Sequence, residues 1–115
     1  MELPQDVLKA FEAAQSKKAT DIAVYHVGNH SGYTDYILVA TGSSSRQVIA
    51  IADEIEKTLI DLKVKVIGCE GRRGGEWILT DFGFIISHVM LPETRQYYQI
   101  DNIWHQEPIL RSNGD

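Results

Sequence analysis

The chain has a single cysteine, Cys69, so no disulfide can form within it and no cysteine-rich zinc site can be assembled. Cationic residues are outnumbered too: 11 Lys and Arg stand against 16 Asp and Glu, a formal net charge of -5. Gripping phosphate backbones needs clustered Lys and Arg, so that mode of life is disfavoured and a basic partner fits better. No apolar run approaches the ~18 residues of a membrane-spanning helix. The start, Met1-Glu2-Leu3-Pro4-Gln5-Asp6, has neither the basic and apolar build of a secretory signal nor the acid-poor composition of a transit peptide. The expected compartment is therefore a reducing one, the cytoplasm. Repeats, low-complexity tracts and interdomain linkers are missing as well.

What is present suits one domain and leaves no room for two: 115 residues, 43% hydrophobic and 23% charged. The expected domain spans 1–115, with a core of about 4–105 and a flexible tail over 106–115. Val7, Leu8, Phe11 and Ala14 recur at helical spacing after Pro4, with Lys17 and Lys18 where cations favour a helix C-terminus. Asp21 to Val27 and Asp35 to Thr41 read as a hairpin about the turn-forming Gly28-Asn29-His30-Ser31-Gly32. Ser44-Ser45-Arg46-Gln47 has the spacing of a capping box, and Val48, Ile51, Ala52, Ile55, Leu59 and Leu62 follow along one helix face. Three strands come next, Val64 to Cys69, Glu76 to Asp81 and Phe84 to Leu91, then a short helix from Pro92 to about Tyr98.

This order predicts an α/β domain with a mixed five-stranded sheet and helices mainly on one face, because a parallel pair needs the second helix as its crossover. A two-residue Phe82-Gly83 turn would place Asp81 opposite Phe84, Leu79 opposite Ile86 and Trp77 opposite His88. Trp77, Leu79, Asp81, Phe84, Ile86, His88 and Met90 would then share one face. With only two long helices available, one apolar face is covered by little more than the C-terminal segment with Tyr97, Tyr98 and Trp104. Such a face is an interaction surface or a dimer interface.

Catalytic chemistry finds little support. Gly42-Ser43-Ser44-Ser45-Arg46 precedes a helix and could receive a phosphate, but it lacks the Gly-Lys-Ser/Thr ending of a P-loop, and N-capping explains it more simply. A nucleotidyl-transferring enzyme would carry paired carboxylates on neighbouring strands, and Val64 to Cys69 has none. Asp81-Phe82-Gly83 matches the kinase tripeptide by letters alone. His26 and His30 are separated by Gly28 and Asn29, which forbid a helical metal pair. No nucleophile context accompanies His88, and Cys69 reads as a strand-end thiol. Arg72 and Arg73 form one basic doublet, a candidate RNA contact, though a solvated loop is the simpler account. Neither a cofactor nor a metal is expected.

Thr34-Asp35-Tyr36, the block from Ala40 to Gln47, Ile51-Ala52-Asp53, Gly71, Trp77-Ile78, Asp81-Phe82-Gly83, His88-Val89-Met90 and Glu93 to Tyr98 with Trp104 together resemble the ribosomal silencing factor family, also called Iojap-like. The resemblance covers nearly the whole chain up to Trp104. It implies a nucleotidyltransferase-like fold without the catalytic carboxylates, and no enzymatic activity. It also implies binding to the large ribosomal subunit through its fourteenth protein, a basic protein of the subunit interface. Joining of the small subunit would be blocked and translation repressed in starvation or stationary phase. Matched to the family's motif, Trp77, Asp81, Phe82, Gly83, His88, Met90, Glu93, Arg95 and Tyr98 are the implied interaction region. Gly83 serves the turn, and Phe84 stands where the family usually has an acidic residue. A homodimer would compete for the same face, and a nucleotide-binding or nucleotidyl-transferring enzyme is the alternative reading.

Overall fold

Two amphipathic helices lie along one side of a sheet, where their apolar stripes meet alternate residues of the strands. The structure is a computed structural model that describes residues 3–28 and 34–112. Its elements are α1 (Gln5–Ser16), β1 (Thr20–His26), β2 (Tyr36–Thr41), α2 (Ser45–Asp61), β3 (Gly68–Glu70), β4 (Trp77–Asp81), β5 (Ile85–Met90), α3 (Pro92–Tyr98), a 3-10 turn (Ile100–Asn102) and β6 (Leu110–Arg111). The strands run in the order β3-β4-β5-β2-β1-β6. All neighbours are antiparallel except β2 and β5, which pair in parallel across the α2 crossover.

The stripe expected for α2 is buried at Val48, Ile51, Ala52, Ile55 and Leu59. Each large member contributes roughly 1.5–3 kcal/mol by leaving water. Leu62 lies just beyond the helix as its C-cap residue and is exposed. Val7, Ala10, Phe11 and Ala14 of α1 join this core, with Ile22, Val24, Leu38, Ala40, Ile78, Ile85 and Val89 from the sheet. At the start of α2, Ser44 Oγ accepts from Gln47 N at 3.1 Å, as the capping box requires. The reciprocal bond differs: Gln47 Oε1 accepts from the backbone N and the hydroxyl of Ser43, one residue earlier. Gln47 Nε2 then donates to the carbonyls of Lys17 and Lys18, fastening the end of α1 to the start of α2.

Four expectations change. The sheet has six strands, because residues 109–112, placed in the flexible tail, lie along β1: Ile109 N donates to Val24 O and Ser112 N to Ile22 O, both at 2.8 Å. The strand drawn over 64–69 is confined to Gly68–Glu70. After Lys63 turns the chain with φ 71°, Val64 and Val66 pack on the helix-side core without joining a ladder. The β4–β5 turn is longer than two residues. Asp81 Oδ1 accepts from Gly83 N at 2.8 Å, Gly83 takes φ 89°, and the ladder pairs Trp77 with Met90, Leu79 with His88 and Asp81 with Ile86. This register differs from the expected one by two residues, and an even slip leaves every side chain on its face. The exception is Phe84, which sits in the turn and packs toward the helix-side core. The turn around Gly28 falls largely outside the described residues, as does His30; His26 stacks on Tyr36, ring centroids 4.8 Å apart.

Candidate protein-interaction surface

The other sheet face has a thinner cover. Ala23, Tyr25, Val27, Ile37, Val39, Ile86, Met90 and Ile100 form its core, with Trp77, Leu79 and Trp104 packed against it while partly open to solvent. Alternation along β4 and β5 puts Trp77, Leu79, Ile86, His88 and Met90 on this side, and among the described residues the chain beyond β5 covers it through Ile100 and Trp104.

Two features organise that covering. The first is an ion pair. Arg95 of α3, 8% exposed, donates from Nε to Asp101 Oδ1 at 2.8 Å and from Nη2 to Asp101 Oδ2 at 2.7 Å, a two-pronged pairing. Its Nη1 donates to the Asp21 carbonyl and to Thr41 Oγ1. Tyr25 OH completes the cluster by donating to Asp101 Oδ2 at 2.7 Å. Burial works against the Arg95 charge, but its bonds to Asp101 outweigh this and hold the guanidinium above its ordinary pKa. Burial likewise opposes the Asp101 charge, and the bonds from Arg95 and Tyr25 overcome it, keeping the carboxyl below the usual range. Tyr25 is raised, first by burial and then by Asp101. The cluster ties α3 and the 3-10 turn to the ends of β1 and β2.

The second feature is a row of rings. Tyr97 meets Tyr98 edge-on with centroids 4.9 Å apart, Tyr98 lies 5.1 Å from Trp77, Trp77 5.9 Å from His88, His88 6.0 Å from Trp104, and Trp104 5.2 Å from Tyr25. Exposure rises from His88 to Tyr97, while Trp104, between His88 and Tyr25, is partly open. Tyr25 is buried, His88 is 7% exposed, Trp77 is intermediate, Tyr98 is 54% exposed and Tyr97 80%. The Trp77 indole N–H donates to His88 Nδ1 at 3.0 Å. Burial depresses the His88 pKa to about 4, with the Asp101 charge pulling weakly the other way, so the imidazole is neutral at physiological pH. Beside Trp77 a depression of about 330 Å³ is lined by Glu70, Gly71, Trp77 and Leu79. Gly71 has φ 89°, and a Cβ there would stand 1.9 Å from the Trp77 carbonyl oxygen, so only glycine fits the floor.

A family model described as "Ribosomal silencing factor during starvation" matches residues 1–114. The chain belongs to this family. The ribosomal silencing factor RsfS of Chromobacterium violaceum is 38% identical over 104 residues, spanning 90% of this chain and 85% of that one. A mouse relative named "Mitochondrial assembly of ribosomal large subunit protein 1" is 34% identical over 104 residues, 88% of this chain and 44% of its own length. A crystal structure of a Chromobacterium violaceum protein superposes with a TM-score of 0.88 at 35% identity, covering 99% of this chain and 95% of that one.

The residues that the ribosomal silencing factor motif singled out divide by position. Trp77 and Tyr98 meet at the surface, and Glu93 is exposed on the same short helix as Tyr98. His88 and Met90 are buried beneath them. Arg95 is spent on Asp101, Thr41 and Asp21, so it is a fastening and not a surface contact. Phe82 is buried in the helix-side core, and Asp81 and Phe84 lie at the far end of β4 from Trp77. Arg72 is paired with Asp53 and Glu56, which leaves Arg73 as the exposed member of the doublet. Sequence reasoning missed Asp101: nothing in its local pattern announces that it pairs with Arg95 six positions earlier. It also passed over Leu79 as a surface residue, although its alternation with Trp77 put it on the right face.

The start of α2 has its Ser43, Ser44 and Gln47 side chains committed to capping. A crevice of about 440 Å³ opens near the ends of β1 and β2, with Asp21, Thr41, Arg95 and Asp101 among its walls. Both Asp101 oxygens accept from Arg95, so Asp21 and Asp101 do not form a free carboxylate pair. Among the described residues, no group of three or more His, Cys, Asp or Glu is placed to hold a metal ion, and no helix is long and apolar enough to cross a membrane.

Proposed function

We propose that this chain binds the large ribosomal subunit in the cytoplasm through a basic protein of the subunit interface, the fourteenth, and blocks joining of the small subunit, repressing translation without catalysis. The observation that carries this reading is the open end of the ring row, where partly exposed Trp77 and exposed Tyr98 stand beside a shallow depression on an acidic chain. Amphipathic aromatics anchor protein interfaces, and opposite net charge steers encounter. Family membership and the mouse relative's ribosomal name support the same direction. Contact centres on Trp77 and Tyr98, Glu93 offers a carboxylate to a basic partner, and Arg73 is the candidate RNA contact. Asp81 and Phe84, at the other end of the hairpin, would serve only a partner that reaches along β4. A homodimer would occupy the same rings and compete.

The test is co-sedimentation with purified large subunits, followed by addition of small subunits. Binding that prevents 1:1 joining is expected, weakened by salt and by Trp77→Ala, the latter by more than ~1 kcal/mol. Whole ribosomes forming unhindered in the presence of the folded protein at low salt would sink the reading.

A further inference from the structure

The row of rings poses a question of orientation: Trp77 is partly open to solvent, yet a partner needs it in one place. Across the ladder it faces Met90, buried and apolar, which offers the indole no hydrogen-bond partner. Leu79 lies on the same side of the strand, and Gly71 presents backbone only. The indole has one polar handle, its N–H, and that handle is taken by His88 Nδ1 at 3.0 Å. His88 itself cannot turn away, since it stands on the central strand β5, opposite Leu79 on β4 and Val39 on β2, with Trp104 over it.

We infer that His88 is a positioning residue for the docking surface: its buried imidazole, with the proton on Nε2 and a bare Nδ1 facing β4, fixes the rotamer of Trp77 and through it the packing of Tyr98. The inference rests on the proposed docking through Trp77. It replaces the expectation that His88 touches the partner, which its burial forbids. The tautomer follows from the bond, because indole donates only and Nδ1 must accept. A bare acceptor on a rigid strand is suited to this task, since an indole N–H near apolar surface seeks its one partner and loses it wherever the ring rotates. The groups facing His88 leave it free to act so. Asp101 is neutralised by Arg95, Tyr25 hydrogen-bonds to Asp101, and Trp77 is the donor that reaches the ring.

The experiment reads Trp77 and ribosome binding separately. In the unaltered protein, nuclear magnetic resonance should show a scalar coupling across the hydrogen bond between Trp77 Nε1 and His88 Nδ1, and an imidazole protonated at Nε2. A proton on Nδ1, or no coupling in a folded sample at neutral pH, would overturn the inference without any variant. In His88→Phe the Trp77 indole proton should move upfield and exchange faster with solvent, and affinity for large subunits should fall about fivefold to tenfold. His88→Gln, whose Oε1 can accept, should restore the indole signal and bring affinity back to within about twofold. An unmoved indole signal in His88→Phe overturns the positioning role. So does full affinity in His88→Phe when Trp77→Ala weakens binding. If Trp77→Ala itself changes nothing, docking through Trp77 has failed and the inference falls with it, while the hydrogen-bond measurements still report separately on the geometry.

Discussion

The two faces of the sheet are held by different physics. Under α1 and α2 the contact is dry and apolar, built from residues that recur every three or four positions and whose stabilisation scales with the area buried. Under α3 and the 3-10 turn, a short covering with little apolar area of its own is secured by a buried ion pair, a tyrosine hydroxyl and a row of rings. Apolar burial is non-directional and tolerant, whereas paired charges work only at one geometry. A thin polar-fastened layer can leave aromatic residues partly open at its edge without losing its place.

The contrast is sharpest at Asp101. Removing its carboxylate in Asp101→Ala leaves the buried Arg95 guanidinium with only the exposed Asp21 carboxylate, 4.0 Å away, and should cost about 3 kcal/mol in urea unfolding. On the helix side, Leu59→Ala should cost a comparable about 2–5 kcal/mol through a cavity. The two differ in how they can be rescued. Replacing Arg95 and Asp101 together with Met and Leu should recover part of the loss, since the pair can be exchanged for apolar packing but Tyr25 OH, Thr41 Oγ1 and the Asp21 carbonyl lose their partners. A loss below ~1 kcal/mol in Asp101→Ala would mean that the covering is held by its rings alone.

Acid should separate the faces next. His88 titrates near 4 in the fold against 6.5 in the unfolded chain, so the native state binds fewer protons between those values. Its stabilising contribution is complete above pH 6.5, falls as the pH drops toward 4, and is constant below, a loss of roughly 3 kcal/mol. Asp101, held below the usual carboxylate range, begins to lose its contribution as the pH falls below the ordinary value of 3.8 and has lost it fully below its folded value. Stability measured from pH 8 down to about 2 should therefore decline in two stages, and His88→Gln should flatten the first. A first stage that survives in His88→Gln would assign it to another group.

Legibility in the sequence follows the same division. The helix side could be read because repetition carries it: Val48, Ile51, Ile55 and Leu59 announce a buried stripe wherever the helix begins. The faces of β4 and β5 could be read although their register could not. Asp81 bonding to Gly83 N lengthens the turn, yet a slip of two residues preserves alternation. Leu110–Arg111 is too short to show any period, and its pairing with β1 depends on an edge that only the fold supplies. The charged cluster was the hardest to see. Arg95 reads as a surface residue because arginine is seldom buried, and its burial is decided by Asp101, Thr41 and the Asp21 carbonyl, all distant in pattern. Trp77 and Tyr98 were legible by residue type as aromatics of the thinly covered face, and which motif residues stay open to solvent and which lie buried beneath them was not.

The smallest effect concerns a polar fastening on the helix side. The Gln47 side chain makes four bonds of two kinds: its Oε1 accepts from the Ser43 N–H and hydroxyl at the start of α2, and its Nε2 donates to the Lys17 and Lys18 carbonyls, which joins α2 to the end of α1. A capping box alone would accept Glu as readily as Gln at this position. Gln47→Glu keeps the acceptor half, removes both donors, and sets a negative charge against the C-terminal carbonyls of α1, where a cation is preferred. The expected cost is about 1 kcal/mol in urea unfolding, similar to Ser44→Ala, which removes the cap of α2. Because apolar burial holds this face, neither change should expose its core. If Gln47→Glu were as stable as the parent, the bonds to Lys17 and Lys18 would be incidental. The helix layer would then rest on its apolar stripes alone, making the difference between the two faces complete.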